Sequence, residues 1–276
     1  MAALLVHWMT PLGYMASRAL FAAALFWILQ FFLPKEKMAF KDILLTAIGG
    51  IMGFILSQYL TSLSLLYTSA VYFSLILALC PVMVMLMAAL FLKEPITGRK
   101  TVGVIVGVLG AVIIVVHGKS AHGTNDLLGV FIAIASIAAY SIYLIIMRSV
   151  SQKYSPVTQM KWMFLVAALI LVPLGWKELG KQVLYSSAWD WDGIGELFFS
   201  VILATMAGYF MMPYGMKYLR ATTVSIYMNM QPVVASVVAI LVGQDNFTLD
   251  KPIAAILVLV GAYIVTTSKA KTNLKN

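Results

Sequence analysis

One half of this chain recurs, without a gap, in the other half. Tyr67, Ser74, Pro81, Thr97, Lys100 and Gly110 reappear 151 residues downstream as Tyr218, Ser225, Pro232, Thr248, Lys251 and Gly261, and Glu94 is matched by Asp245. An apolar chain produces some identities by chance, but aligned Pro, Lys, Tyr and Thr do not follow from shared hydrophobicity. Two copies of one unit restrict the chain to architectures assembled from paired halves. Both copies are made of long uncharged runs, and paired halves in a membrane are the mark of transporters.

The 276 residues are 62% hydrophobic and 11% charged, with a mean hydropathy of +0.95, which excludes a water-soluble globule. Uncharged runs cover Ile43–Leu66, Ser69–Leu92, Thr101–His117, Leu127–Met147, Leu197–Met216, Ala221–Gln244 and Pro252–Ser268. Leu12–Leu33 carries one cation, Arg18, and Val157–Trp176 carries one, Lys161. A helix of about 20 residues crosses a bilayer core of about 30 Å, so nine spans are expected. They must be helices: lipid offers no partner to an open backbone, and the runs lack the alternation of a barrel strand. The single cysteine, Cys80, has no partner for an internal disulfide. Met1–Met9 has no basic region and too short an apolar run for a cleavable signal. The net charge of +9 sits in short loops between spans, so it reads as a topology signal and not as a nucleic-acid surface.

Placing the C-terminal tail, 269–276, in the cytoplasm puts thirteen Lys and Arg residues in inner loops and four in outer loops. The opposite orientation reverses that bias, so the first is expected. Seven of the ten acids then lie outside, near Trp176, Trp189 and Trp191, which suit the outer interface. In this orientation the loop Lys93–Lys100 is inside and its copy Gln244–Lys251 is outside, so the two halves are inverted. The expected fold is an all-α polytopic membrane protein of two inverted five-helix repeats, with nine helices visible of an expected ten. Residues 1–118 form the first repeat, 126–268 the second, and 269–276 a basic tail. The second repeat holds five spans and the first only four. The counterpart of Leu127–Met147 falls before residue 1, since Pro11, Leu20, Ala22 and Ala23 align with Pro156, Leu165, Ala167 and Ala168. The expectation is a chain that starts inside a ten-helix plan; the alternative is a nine-helix form.

The segment Leu75–Val116 resembles the repeat unit of the EamA family within the drug/metabolite transporter superfamily. The resemblance rests on Pro81 in mid-helix, Glu94 closing that helix, and Gly103, Gly107 and Gly110 after a basic turn. Thr10–Phe26 is similar to the second helix of that family, with Pro11 near its start and Arg18 two turns on. The second copy departs from the pattern at Gln244-Asp245, where the first has Lys93-Glu94-Pro95. The resemblance implies a ten-helix carrier of amino acids, other small metabolites or drugs, often an exporter. It also implies alternating access at a cavity between the halves.

Pro81 and Pro232 lie near the midpoints of their spans. Proline lacks an N–H and crowds the turn before it, so each is expected to bend its helix and free a carbonyl, making a pair of hinges. Ser225, Asn229 and Pro232 share one helical face by spacing, and Ser74, Ala78 and Pro81 are their counterparts. Polarity has been added to one copy only, as recognition of an asymmetric solute requires. Asn229 and Gln231 are therefore candidate solute ligands; interhelical glue is the rival role. Gln58 and Tyr140 lie deep enough in their spans to face either a cavity or the core. Arg18 suits bidentate recognition of a carboxylate or phosphate, against the alternative of snorkelling to the surface. Lys161 is expected to snorkel as an anchor. The glycines suit close helix packing, and with them a homodimer is an allowed arrangement.

No Asp or Glu lies deep in a span, and His7, His117 and His122 sit at ends or in loops. That excludes a nucleophile–base pair or metal cluster at membrane depth, so no enzyme, catalytic residue, metal or cofactor is expected. It also favours a facilitator or exchanger over a carboxylate-driven pump. The expected partners are a small-molecule solute and the lipid bilayer, with no nucleic acid. The expected location is the plasma membrane, which is the inner membrane in a bacterium. A receptor or scaffold that kept a transporter fold without transporting is the competing reading.

Overall fold

The computed structural model describes residues 10–68, 70–116, 125–179, 191–241 and 249–268. The first nine residues, the tail 269–276 and the loop 242–248 with Gln244 and Asp245 lie outside the described residues, so the expected first helix and the two inverted loops are not compared there. Among the described residues all regular structure is helical.

Among the described residues the expected spans are present, and four of the nine are interrupted. The first is α1 (Pro11–Phe31), opened by Pro11 and by Thr10, whose hydroxyl accepts the Gly13 N–H at 3.2 Å. The second is α2 (Phe40–Gly50), a π-helical stretch at Ile51–Leu56, and α3 (Ser57–Tyr67). The third is α4 (Ala70–Ala78) and α5 (Cys80–Phe91). Then follow α6 (Gly98–Val116), α7 (Asp126–Ser151) and α8 (Pro156–Leu179). The seventh span is α9 (Trp191–Phe199), a π-helical stretch at Ser200–Ala207, and α10 (Gly208–Tyr218). The last two are α11 (Ala221–Met228) continued by α12 (Met230–Leu241), and α13 (Asp250–Thr267). The interrupted spans are thus four by this count, one more pair than proline alone predicts.

Leu12–Phe31, Phe40–Tyr67, Leu127–Ser151 and Pro156–Leu179 are each long and apolar enough to cross a membrane unaided. Large apolar side chains cover the outside, among them Leu44, Leu90, Phe131, Leu169 and Leu259. A surface of that kind aggregates in water and is satisfied in lipid. The chain is a multi-pass membrane protein.

The described residues form two compact units, 1–55 with 146–218 and 56–145 with 219–276. Each unit takes helices from both sequence repeats. In the first unit α1 runs antiparallel to its counterpart α8. Near one end Trp27 meets Trp162 edge-on at 5.5 Å. Near the other, a Cβ on Gly175 would lie 3.3 Å from Ala16 and 3.6 Å from Leu12. One end of this unit is held by polar contacts. Lys153 Nζ donates to Asp42 at 3.0 Å, Tyr154 Oη donates to the same carboxylate at 2.9 Å, and Arg148 and Gln152 donate to the Met216 carbonyl.

In the second unit α6 and α13 are repeat counterparts and also pack antiparallel. A Cβ on Gly261 would fall 2.6 Å from the Gly103 carbonyl and 2.6 Å from the Gly107 N. A Cβ on Gly110, the counterpart of Gly261, would fall 2.8 Å from the Ala254 carbonyl and 2.9 Å from Val258. Ala254 and Val258 are in turn the counterparts of Gly103 and Gly107. The contacts therefore exchange under a two-fold operation, which is the geometry of an inverted repeat. Nearby, the buried Lys100 forms an ion pair at 2.8 Å with the half-buried Glu94.

Candidate functional site

The helix breaks come in matched pairs. In the first copy α4 stops at Ala78 and α5 begins at Cys80; in the second α11 stops at Met228 and α12 begins at Met230. Each break is a tight turn: the Leu79 N–H reaches the Ile76 carbonyl at 2.9 Å, and the Asn229 N–H reaches the Ile226 carbonyl at 3.1 Å. Val82 then donates to Leu79 at 3.0 Å, not to Ala78, because Pro81 has removed the donor that would continue the ladder. Each helix is thus interrupted for one residue, two or three positions before its proline, by a single tighter turn in right-handed backbone. The π-helical stretches repeat the same logic. Shifted by 151 residues, Ile51–Leu56 falls within Ser200–Ala207 and ends with it. An extra residue per turn loosens the i→i−4 ladder, and such stretches gather at functional places in helices.

The second unit holds most of the candidate ligands. Asn229 is 4% exposed, and its side-chain amide donates to the Ala78 carbonyl at 3.4 Å. That carbonyl belongs to the turn where the first copy breaks. Ser225 is fully buried and its hydroxyl donates to the Thr222 carbonyl at 2.8 Å. Pro81 is buried at the start of α5, and the neighbouring Cys80 thiol faces the Ser141 hydroxyl of α7. One residue before Ser141, Tyr140 is half-buried and lies 5.5 Å from the Tyr143 ring. The two breaks and the middle of α7 are thereby gathered in one place. Ser74 and Gln58 are half-buried on α4 and α3, and Gln231 is exposed on α12. Pro232 lies on α12 within its first turn. A ladder of hydroxyls that sequence reasoning missed joins α3 to α7. Thr61 and Ser136 are 2.9 Å apart, Ser136 donates to the Ser57 carbonyl at 2.9 Å, and Ser64 donates to the Gly129 carbonyl at 2.8 Å.

Arg18 lies in the first unit. Its guanidinium carbon is 4.8 Å from the centre of the Phe54 ring and 5.7 Å from that of Tyr14. Its Nε is buried and has no hydrogen-bond partner among the described residues. Phe54 belongs to an aromatic cluster in which Phe54, Phe164 and Tyr209 lie 5.2–5.8 Å apart, with Phe26 stacked on Phe164 at 5.7 Å. A cation held against ring faces is stabilised without a carboxylate and keeps its N–H groups available for an anion. Phe54 and Phe164 carry no sequence signal beyond hydrophobicity. Lys161 differs from expectation. It is 7% exposed, with its ammonium 5.3 Å from the Trp27 ring and 5.8 Å from Trp162. Two indoles hold it inside the packing, so it does not snorkel outward.

Paired helix breaks carrying a buried amide, beside other helix pairs that are antiparallel repeat partners, are features of the polytopic carrier class. Comparison with known proteins gives the family. The EamA-like transporter family matches residues 1–116 and 127–267, so the chain belongs to that family. An uncharacterised transporter of Archaeoglobus fulgidus is 26% identical over 264 residues, covering 96% of this chain and 91% of that protein. An uncharacterised transporter of Clostridium kluyveri is 25% identical, covering 87% and 77%. The uncharacterised transporter YyaM of Bacillus subtilis is 22% identical, covering 93% and 84%. A solved crystal structure superposes with a TM-score of 0.74 at 17% identity, covering 94% of this chain and 89% of its own, which establishes the shared fold.

Proposed function

We propose that this chain carries small organic solutes across the plasma membrane by alternating access, in the direction of export. The solutes are amino acids, related metabolites or drugs, received in a cavity between the inverted repeats. The observation that supports this most is the pair of repeat-related helix breaks tied by the Asn229–Ala78 hydrogen bond. A buried interruption costs stability unless something uses it, and a matched pair gives two segments that can swing about one level. Opening on one side then closes the other, because the repeats are inverted. Arg18, with an unsatisfied buried Nε against Phe54, supports solutes that bear a carboxylate or phosphate. The excess of Lys and Arg in one set of loops supports a cytoplasmic C-terminus.

The test is solute counterflow in proteoliposomes loaded with a mixed amino-acid and metabolite pool, read by mass spectrometry. The expected result is exchange of a defined class of anionic or zwitterionic solute, reduced in Asn229→Ala and Arg18→Gln. Folded protein that binds solute without exchanging it would replace this reading with a receptor.

A further inference from the structure

We infer that the groove between α1 and α8 is a binding site for one anionic phospholipid, with its acyl chain against the groove wall and its phosphate at Lys161. The groove has a volume of about 430 Å³ and lies between Leu20, Ala23, Ala24 and Trp27 of α1 and Leu165, Ala168, Leu169, Val172 and Pro173 of α8. Ala23, Ala24 and Ala168 form a recess, since small side chains leave the space that leucines fill elsewhere on the surface. From Leu165 to Pro173 the groove extends about 12 Å along the helix, at 1.5 Å per residue. Its walls carry no charge, so the recess suits an alkyl chain and little else.

The charge stands at one end. Lys161 is one turn before Leu165 toward the start of α8, and its ammonium lies over the ring of Trp27, which lines the groove. Among the described residues the ammonium makes ring contacts and no hydrogen bond or ion pair. Trp27 Nε1, beside it, is buried and also lacks a hydrogen-bond acceptor. Two donors without an acceptor at membrane depth are costly. One phosphate oxygen would satisfy both, given a small rotation of the indole. The charge of Glu36 reaches Lys161, but its carboxylate is engaged by the Ser155 N–H at 2.8 Å.

The direction also fits. Lys161 lies about 8 Å inside the start of α8, and the groove runs from there toward the middle of the span, as a lipid tail runs from its headgroup. An acyl chain gains nothing hydrophobic by leaving bulk lipid for a protein groove. Discrimination must therefore come from the headgroup, and a net negative headgroup pairs with an ammonium without a competing choline.

The experiment is native mass spectrometry of the full chain, extracted in mild detergent from vesicles of equal phosphatidylglycerol and phosphatidylcholine. The expected result is one retained lipid per chain, with phosphatidylglycerol favoured about tenfold. Lys161→Gln should erase that preference and Lys161→Arg should keep it. Ala24→Phe, at an exposed position that leaves the core untouched, should evict lipid of either headgroup. Equal retention of the two lipids by the unaltered chain overturns the proposal, as does undiminished preference in folded Lys161→Gln. Unchanged retention in Ala24→Phe overturns the groove as the seat of the tail, and remains decisive if Lys161→Gln does not fold.

Discussion

Asn229 donates its side-chain amide to the carbonyl of Ala78 at 3.4 Å, and the two residues are counterparts in the repeat, 151 positions apart. The second copy thus supplies a polar side chain where the first has a methyl group, and spends it on the backbone that the first copy left open. The bond is long, so its net contribution lies at the low end for a neutral pair. Asn229→Ala is expected to cost about 0.5–1 kcal/mol of stability and to slow exchange. Gln231→Ala, at an exposed position, should shift stability by less than about 0.5 kcal/mol. Thermal unfolding in detergent beside counterflow rates checks both; equal effects at the two positions would deny Asn229 its special place.

Gly261 sits against the backbone of Gly103 and Gly107, where no side-chain rotation can make room. Gly261→Ala should therefore push α6 and α13 apart and destabilise the second unit by about 1–3 kcal/mol. Gly215→Ala meets nothing within 4 Å, and its gain in helix propensity should stabilise α10 by up to about 1 kcal/mol. Opposite signs for the same chemical change are the result to look for in unfolding midpoints.

Arg18 is expected to discriminate by charge. Arg18→Gln should lower exchange of carboxylate or phosphate solutes about tenfold, the loss of one charge-assisted hydrogen bond. Uncharged solutes should change by less than about twofold, the margin set by a neutral contact. Arg18→Lys should recover part of the loss, since an ammonium keeps the charge without the planar fork. A uniform loss across all solutes would instead mark Arg18 as structural.

Glu36 links the turn after α1 to the start of α8. Burial pushes its carboxyl pKa up, but hydrogen bonds from Ser155 and Thr158 and the charge of Lys217 outweigh burial and hold it below the ordinary value of 4.5. The folded value is depressed, so its stabilising contribution is complete above that ordinary value and is lost as pH falls through the lower, folded one. The protection of the Ser155 amide against hydrogen exchange, relative to its intrinsic rate at each pH, should fall on acidification in this window. In Glu36→Gln that protection should be low throughout and independent of pH in this window.

Much of this protein was legible in the sequence because hydropathy, proline and repeat spacing are local properties. The uncharged runs marked the spans, since a membrane leaves a helix as the only economical backbone. Pro81 and Pro232 marked where the helices break, because a missing N–H acts on its own turn whatever surrounds it. The 151-residue register even named Ala78 and Asn229 as counterparts.

The tertiary structure decided what no single segment can encode, namely which groups meet. Neither π-helical stretch has a sequence signature; their matched positions emerge only in the folded copies. Phe54 and Phe164 read as ordinary core residues until packing brings them to Arg18. Lys161 read as an anchor because a lysine near a helix end usually reaches water. Trp27 comes from another helix to cover it, so its place was fixed by α1 packing antiparallel on α8. Burial, partner and field are set by neighbours distant in the chain, and those are properties of the fold alone.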